Sequence, residues 1–374
     1  MKVCHINCNY VSTKLHQTMI EHLGRYEIDS HVFVPISDKT ECIVNINRNV
    51  RAVKCFKTWH RYFFYYKQKR IFNAIVSTFE VESFDLIHAY TLFTDGNIAY
   101  QLKKRYGKPY VVAVRDTDIS TFFKKRIYLR KRGVKILVNA DKVFFLSKAV
   151  KNEFLAKYIS QKERKILESK IHIIPNGIDD YWLENIRLTN DFDQIHSKEF
   201  RIIYAGVINK NKNIVQICKA LELLRSKGWQ GNLCVVGRVR DESEKSKIMA
   251  YPFVQVIQSQ PKDSLRELYC QNDIFVMVSH AETFGLVYAE ALTQGLPVIY
   301  TRGQGFDMQF PEGYIGYSSS DTDVEELSNK IIECYDNISS LRHNAIDSCQ
   351  VFSWDKICKE YSEIYRSILD SCGE

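Results

Sequence analysis

Residues 281–295, AETFGLVYAEALTQG, place two carboxylates, Glu282 and Glu290, on either side of a short apolar run containing one glycine. A carboxylate among apolar neighbours is costly to bury unless something pairs with it. The run DIFVMVS before it reads as a buried strand ending at Ser279, His280 to Thr283 as a loop, and the residues from Phe284-Gly285 onward as a helix. Gly285 would let a ligand approach the backbone closely, and a helix start presents free N–H groups and the positive end of its dipole. That combination suits an anion, and a diphosphate well. Glu282 can then accept hydrogen bonds from hydroxyls beside the anion. Glu290, roughly a turn and a half into the helix, reaches another part of the same ligand. Two carboxylates flanking a diphosphate describe a nucleotide sugar. The plainer reading of the same spacing has Glu282 capping the helix and Glu290 on its solvated face.

The elements needed to hold these residues recur along the chain. In the first half KVCHIN, SHVFVP, FDLIHAY, PYVVAV, KVFFLS and KIHIIPNG read as buried strands, with TKLHQTMIEHLGR and DGNIAYQLKKRYGK at helical spacing between them. A polar interval from about Asp179 to Glu199 follows the turn Pro175-Asn176-Gly177. The alternation then restarts with FRIIYAG, the helix NIVQICKALELLRSKG, and strands at NLCVVG, FVQVIQS, DIFVMVS and LPVIYT. It closes on an amphipathic helix, WDKICKEYSEIYRSIL. Strands alternating with helices imply α/β domains with parallel sheets covered on both faces. At 374 residues the chain fits two such doubly wound domains, whose ligands bind at the carboxyl ends of the strands.

Composition narrows the setting. No run approaches 18 apolar residues, and the N-terminus lacks the apolar core of a signal peptide. The 11 cysteines have no metal-like spacing and favour reduced thiols in a cytoplasmic protein. The net charge of +8 is uneven: residues 1–190 carry +15 and residues 191–374 carry −7. The first half therefore faces something anionic, whether nucleic acid, a membrane surface or a phosphorylated substrate. Two basic-aromatic runs, residues 55–72 and 122–135, account for most of that charge. They fit anionic lipid headgroups, or single-stranded nucleic acid, or helices with an aromatic core face and a basic solvated one.

The stretch S-x-x-E-x-F-G-L-V-x-x-E-A-L-x-x-G-L-P-V-I, from Ser279 to Ile299, closely resembles the signature of the retaining, GT-B-fold glycosyltransferases of family GT4. IIPNGID, YAG and FSW fall in the expected order around it. The resemblance implies two Rossmann-like domains facing a central cleft. Residues 1–180 would bind the acceptor and residues 195–349 the nucleotide sugar, with the helix in 350–374 packing back on the first domain. It implies transfer from a UDP- or GDP-sugar to a saccharide acceptor, often lipid-linked, in capsule, exopolysaccharide or O-antigen assembly. Retention at the anomeric carbon follows from the same likeness, with the leaving phosphate taking the acceptor's proton. No cofactor and no essential metal are expected, because Lys212 and the helix end at Gly285 supply the positive charge.

Residue by residue, the family's G-R-L-x-x-x-K pattern falls on Gly206 to Lys212, with Val207 standing where the arginine is expected. Lys212 matches the lysine. Lys210 can substitute for the missing cation or be a solvated loop lysine. Arg238, after the VVG strand, is a nucleotide-side candidate or an ordinary surface arginine. Phe284, Gly285 and Leu286 lie on the donor side, with Glu282 on the sugar and Glu290 on the ribose. In YVVAVRDTDIS, Arg115 replaces the family's histidine near the transferred sugar, while Asp118 is retained. Arg115 acts beside the reacting centre or is held by Asp118 as an ion pair. Asn9 and Ser12, after the first strand, are weaker hydrogen-bonding candidates. Asp116-Thr117-Asp118 and Asp321-Thr322-Asp323 both spell D-x-D, the metal signature of another glycosyltransferase fold that the two-domain pattern argues against. The alternatives are a nucleotide-sugar 2-epimerase of the same fold and, from another class, a basic nucleic-acid-binding protein.

Overall fold

The computed structural model describes residues 1–40, 49–188 and 198–371. Among these, seven strands form one parallel sheet: β1 (Lys2–Ile6), β2 (Asp29–Ser37), β3 (Val50–Phe56), β4 (Leu86–Ala89), β5 (Tyr110–Ala113), β6 (Lys142–Phe145) and β7 (Ile171–Ile173), in the order β3-β2-β1-β4-β5-β6-β7. Six more form a second: β8 (Glu199–Ala205), β9 (Gln230–Val236), β10 (Val254–Ile257), β11 (Ile274–Met277), β12 (Val298–Thr301) and β13 (Gly316–Ser319), in the order β10-β9-β8-β11-β12-β13. Every pairing within both sheets is parallel, from β1–β2 and β1–β4 to β11–β12 and β12–β13. The chain divides into two compact units. One comprises Met1–Leu146, Lys151–Gly177 and the chain from Trp354 onward, and the other is built from Ile178–Ser353. Each is a doubly wound Rossmann-like α/β unit.

The central strands are apolar on both faces, as crossover helices require. β4, β5, β11 and β12 are buried at every residue. The terminal helix Trp354–Asp370 packs back on the first unit. Trp354, Ile357, Tyr361, Ile364, Tyr365 and Ile368 join Val3, Met19, Leu23, Leu86, Val111 and Phe144 in one buried cluster. The Trp354 ring lies so close to Gly177 that a Cβ there would come within 2.4 Å of it, so the turn at 175–177 needs glycine beside this anchor.

Two strands escape the apolar pattern. β3 buries only Val50 and Cys55 and exposes Arg51 and Lys54, which hides its apolar signal; a charged edge strand discourages further pairing. β13 is GYSS, with no β-branched residue, and Gly316 sits where a Cβ would lie 1.8 Å from the Val298 carbonyl oxygen. The polar interval is also more than a connection. Asp180–Glu184 is a short helix that buries Trp182 against Tyr269, while residues 189–197 lie outside the described residues. Among the described residues no helix is long and apolar enough to cross a membrane.

Truncating the anchor at Trp354 removes a fully packed indole from the first unit. Trp354→Ala should cost about 3–5 kcal/mol and lower the urea midpoint of that unit's transition, read by circular dichroism.

Candidate active site

In the second sheet β8 and β11 are neighbours, and the chain leaves their carboxyl ends in opposite directions, towards β9 and towards β12. A ligand crevice forms at such a reversal of strand order. The loop after β8 delivers Lys212 there and the loop after β11 delivers Glu282. The Lys212 ammonium lies 2.5 Å from Glu282 Oε2, with both side chains mostly out of water.

The backbone around the pair is held from several directions. The Glu282 N–H donates to Gln304 Oε1 at 3.0 Å, and the Gly305 N–H donates to the Glu282 carbonyl at 3.0 Å. A Cβ at Gly305 would lie 1.9 Å from the Thr283 carbonyl oxygen, so the two loops touch through a residue that has to be glycine. On the other side the Asn211 amide donates to the Ala281 carbonyl (2.9 Å) and the His280 N–H to the Asn211 carbonyl (2.9 Å). The Asn213 amide donates to both Val278 (3.1 Å) and Asp321 (2.7 Å) carbonyls. Asn213 reaches them from a left-handed conformation, φ 53°, which asparagine tolerates. None of Asn211, Asn213, His280, Gln304 and Gly305 stood out in the sequence; the available signal was the G-Q-G that follows LPVIYT.

The helix Leu286–Thr293 starts at Gly285, whose φ is 79° and whose absent side chain leaves the first turn without a side-chain cap. A Cβ at Gly285 would meet the Tyr288 ring at 2.5 Å, so both backbone and space demand glycine. Leu286 is half-buried at the first helical position, beside those N–H groups. Phe284, taken from the sequence as a donor contact, is instead buried with its ring 6.0 Å from Phe306 and 5.9 Å from Phe352. Its side chain anchors the loop in the core. Gly206 ends β8 against Gly237, where a Cβ would lie 1.6 Å from the Gly206 oxygen. Lys210 and Arg238 are exposed and form no ion pair among the described residues.

Glu290 is not on a solvated face. Burial pushes its carboxyl up to about 7, opposed by Lys262 and by a hydrogen bond from the Trp182 side chain, and reinforced by Asp179. Lys262 is itself 2.5 Å from Asp179. The short helix Asp180–Glu184 thus shapes the surroundings of the second carboxylate.

In the first unit Asp118 departs from its expected role as a donor contact. It is buried, and its carboxylate accepts the N–H groups of Leu92 (2.9 Å), Phe93 (3.1 Å) and Arg115 (3.0 Å). It therefore joins the loops after β4 and β5 from inside the fold, and burial still lifts its carboxyl to about 6. The Arg115 guanidinium is not bonded to it. Nε donates to the Tyr90 carbonyl (3.3 Å) and a terminal nitrogen to Asn176 Oδ1 (3.4 Å). With Asp118 enclosed by three amides and Asp116 exposed, the first D-x-D does not converge. In the second, Asp321 pairs with His280 (2.7 Å) and Asp323 caps the helix Val324–Asp336. Asn9 donates its N–H to Asn7 Oδ1, and the Ser12 side chain lies outside the described residues.

Two features of this unit carried no sequence signal. Where β1 and β4 diverge, buried Asp95 accepts the Cys8 N–H (3.3 Å) and the Thr91 hydroxyl (3.0 Å), with its carboxyl raised by burial to about 7. Beneath Arg115 lie three buried histidines: His5 bonds Tyr90 and Ser30, His88 bonds Tyr365, and the His16 ring packs 4.7 Å from Tyr90. Burial depresses all three, His5 and His16 to about 3, and Arg115 lowers His16 and His88 further.

Two doubly wound units, one with a cation–carboxylate pair and an uncapped helix start at its switch point, define a two-unit Rossmann-like α/β protein. Comparison with known proteins takes this further. Residues 187–349 match the family model of glycosyl transferases group 1, and residues 16–181 that of glycosyltransferase family 4. The chain belongs to these GT-B glycosyltransferases. A Klebsiella pneumoniae protein described as an uncharacterized 41.2 kDa protein in the cps region is 23% identical over 91% of this chain and 93% of its own. The capsular polysaccharide biosynthesis glycosyltransferase CapM of Staphylococcus aureus is 27% identical over 62% of each chain. Among solved structures, sucrose-phosphate synthase from Thermosynechococcus elongatus superposes with a TM-score of 0.74 at 17% identity, covering 99% of this chain and all of that one. Anabaena HepE in complex with UDP-glucose gives 0.66 at 16% identity, covering 98% and 100%. At those identities the likeness is one of fold.

Two substitutions test the geometry. Gly285→Ala forces a side chain into the left-handed region against Tyr288 and should cost about 1–3 kcal/mol, seen as a lower melting temperature of the second unit. Glu290 holds its proton more tightly folded than unfolded. Its contribution thus favours folding below 4.5 and is lost as pH rises towards about 7. Glu290→Gln should gain stability relative to the parent across that window, in melting curves taken at stepped pH.

Proposed function

We propose that the chain transfers a sugar from a UDP- or GDP-sugar to a saccharide acceptor, lipid-linked and held by the basic first unit, with retention at the anomeric carbon. The observation that carries this reading is the Lys212–Glu282 pair at the β8–β11 switch point, beside the uncapped helix start at Gly285. A lysine ammonium and a row of helix N–H groups suit a diphosphate, and pre-placed positive charge stabilises a leaving group as its charge develops. In the donor complex Lys212 turns to a phosphate, which frees Glu282 to accept hydroxyls of the sugar. Glu290 accepts the ribose hydroxyls. The leaving phosphate takes the proton of the acceptor hydroxyl, so no strong protein base is required. Arg115, half-buried and pointing its guanidinium at neutral acceptors, keeps its charge for the acceptor side of the reaction. Transfer needs no bound metal in this account.

The capsule-region relative from Klebsiella and the S. aureus capsular enzyme support a place in cell-surface polysaccharide assembly. The structure of HepE with UDP-glucose supports a nucleotide-sugar donor. In this reading the chain works on the inner, cytoplasmic face of a membrane, which suits the anionic surface expected to face the first unit.

Thermal stabilisation across a panel of UDP- and GDP-sugars should single out a donor, since a ligand at a hundred times its Kd stabilises by about 2.7 kcal/mol. With that donor, Lys212→Ala and Glu282→Ala should each lower transfer roughly a hundredfold or more, and added EDTA should leave the rate unchanged. If both variants turn over at the parental rate, the assignment fails. Consumption of donor without acceptor, yielding an epimer, would move the chain to the epimerases.

A further inference from the structure

The basic-aromatic run at 55–72 does not bury its rings. The helix Phe64–Thr78 turns Phe64, Gln68, Ile71 and Ile75 inward. Trp59, Tyr62, Phe63, Tyr65 and Tyr66 are each half or more exposed. An aromatic core face with a basic solvated face is therefore excluded for this segment, because rings and cations share the outer surface. Residues 51–72 hold seven Lys and Arg and no acidic residue.

The second run lies against the first. The Phe122 ring is 6.1 Å from Phe64 and stacks on Phe93 at 4.5 Å, and Lys67 feels the charge of Arg126. Ile127 and Tyr128 follow, both largely exposed, within residues 122–135, where seven more cations again meet no acidic residue. Folded proteins seldom leave so many large apolar groups together in water without a partner for them.

Within the aromatic cluster an open cavity of about 350 Å³ lies by the ends of β2 and β3, lined by Lys54, Lys57, Arg70, Trp59, Tyr66 and Asp38. The Asp38 carboxylate already accepts the N–H groups of Lys39 and Thr58. Lys54, Lys57 and Arg70 have no carboxylate partner among the described residues. The cavity thus offers three cations between aromatic walls.

We propose that this face of the first unit docks on an anionic lipid bilayer. The outward rings would sit at the boundary between headgroups and acyl chains, and the cavity would take the phosphate of an acidic lipid headgroup. The proposal deepens the lipid-linked acceptor reading and rests on it for why a bilayer is the partner. Charge complementarity and amphipathic rings both fit such a surface. Single-stranded nucleic acid fits less well, since it needs open slots between rings for its bases. Trp59 and Tyr66 are near parallel with centres 6.4 Å apart, but the His60 ring packs edge-on against both, at 4.2 and 4.8 Å.

The test is co-sedimentation of the full chain with vesicles of phosphatidylcholine alone, and of phosphatidylcholine with phosphatidylglycerol at three to one. Binding should require phosphatidylglycerol and weaken with added salt. The triple variant Lys54→Ser, Lys57→Ser, Arg70→Ser should lower binding roughly a hundredfold, at about one factor of five per cation. A second variant, Trp59→Ser with Phe63→Ser and Tyr65→Ser, should lower it at low salt too, where the cations remain. Both variants should keep the parental circular dichroism spectrum and the parental stabilisation by donor sugar, which separates lost docking from lost folding. Equal binding to both vesicles, no loss in either variant, or tighter binding to a single-stranded oligonucleotide than to the acidic vesicles would overturn the proposal. Donor stabilisation without vesicle binding sinks this inference alone; vesicle binding without stabilisation by any nucleotide sugar sinks the transferase reading instead.

Discussion

An ion pair largely withdrawn from water survives only where its surroundings hold both partners, because desolvation offsets much of the Coulomb gain. Lys212 and Glu282 come from loops 70 residues apart in sequence, so their 2.5 Å approach depends on the backbone around them. Asn211 and Asn213 tie the first loop to the second, Gln304 and Gly305 brace the second from behind, and Asp321 is bonded to both His280 and Asn213. Most of these are side-chain to backbone bonds, which fix position without adding charge. Lys212 and Glu282 are thereby held together across the two loops.

The sheet supplies the reason that such loops meet at all. Parallel strands with crossovers on both faces bring the exits of β8 and β11 side by side while their chains part. The first unit has the same reversal between β1 and β4, but there the opening holds Asp95, Cys8 and Thr91, and the nearby Arg115 lies over neutral histidines. One layout therefore carries two arrangements: a cation–carboxylate pair beside an uncapped helix start in one unit, and in the other a permanent cation near groups that burial keeps uncharged.

Much of this was legible from residue order. Hydrophobic alternation located eleven of the thirteen described strands, and the terminal helix announced itself through Trp354, Tyr361 and Tyr365 at helical spacing. The strands it missed have thin apolar signals for different reasons: β3 carries exposed Arg51 and Lys54, while β13, though buried, is GYSS with a single large apolar residue. At the site, Glu282, Gly285 and Glu290 were singled out by type and spacing and Lys212 by resemblance to a family motif, and the fold brings Lys212 and Glu282 together. Phe284 and Asp118 were assigned to the ligand although both are buried, since a motif records which residues recur and not which way they face. The basic-aromatic run was ambiguous for the same reason, and the outward Trp59 and Phe63 rings resolved it.

Local order thus determined the α/β alternation, the glycine that begins the site helix and the residue types at the ends of β8 and β11, because these follow from backbone freedom and from periodicities of two and 3.6 residues. Tertiary structure alone decided that Lys212 reaches Glu282, that Glu290 is drawn out of water beside Trp182 and Lys262, and that the Asp118 carboxylate accepts three backbone N–H groups inside the fold. Those outcomes turn on which distant segments share a volume and which groups lose water there, and burial is a property of the packed chain and not of any stretch of it.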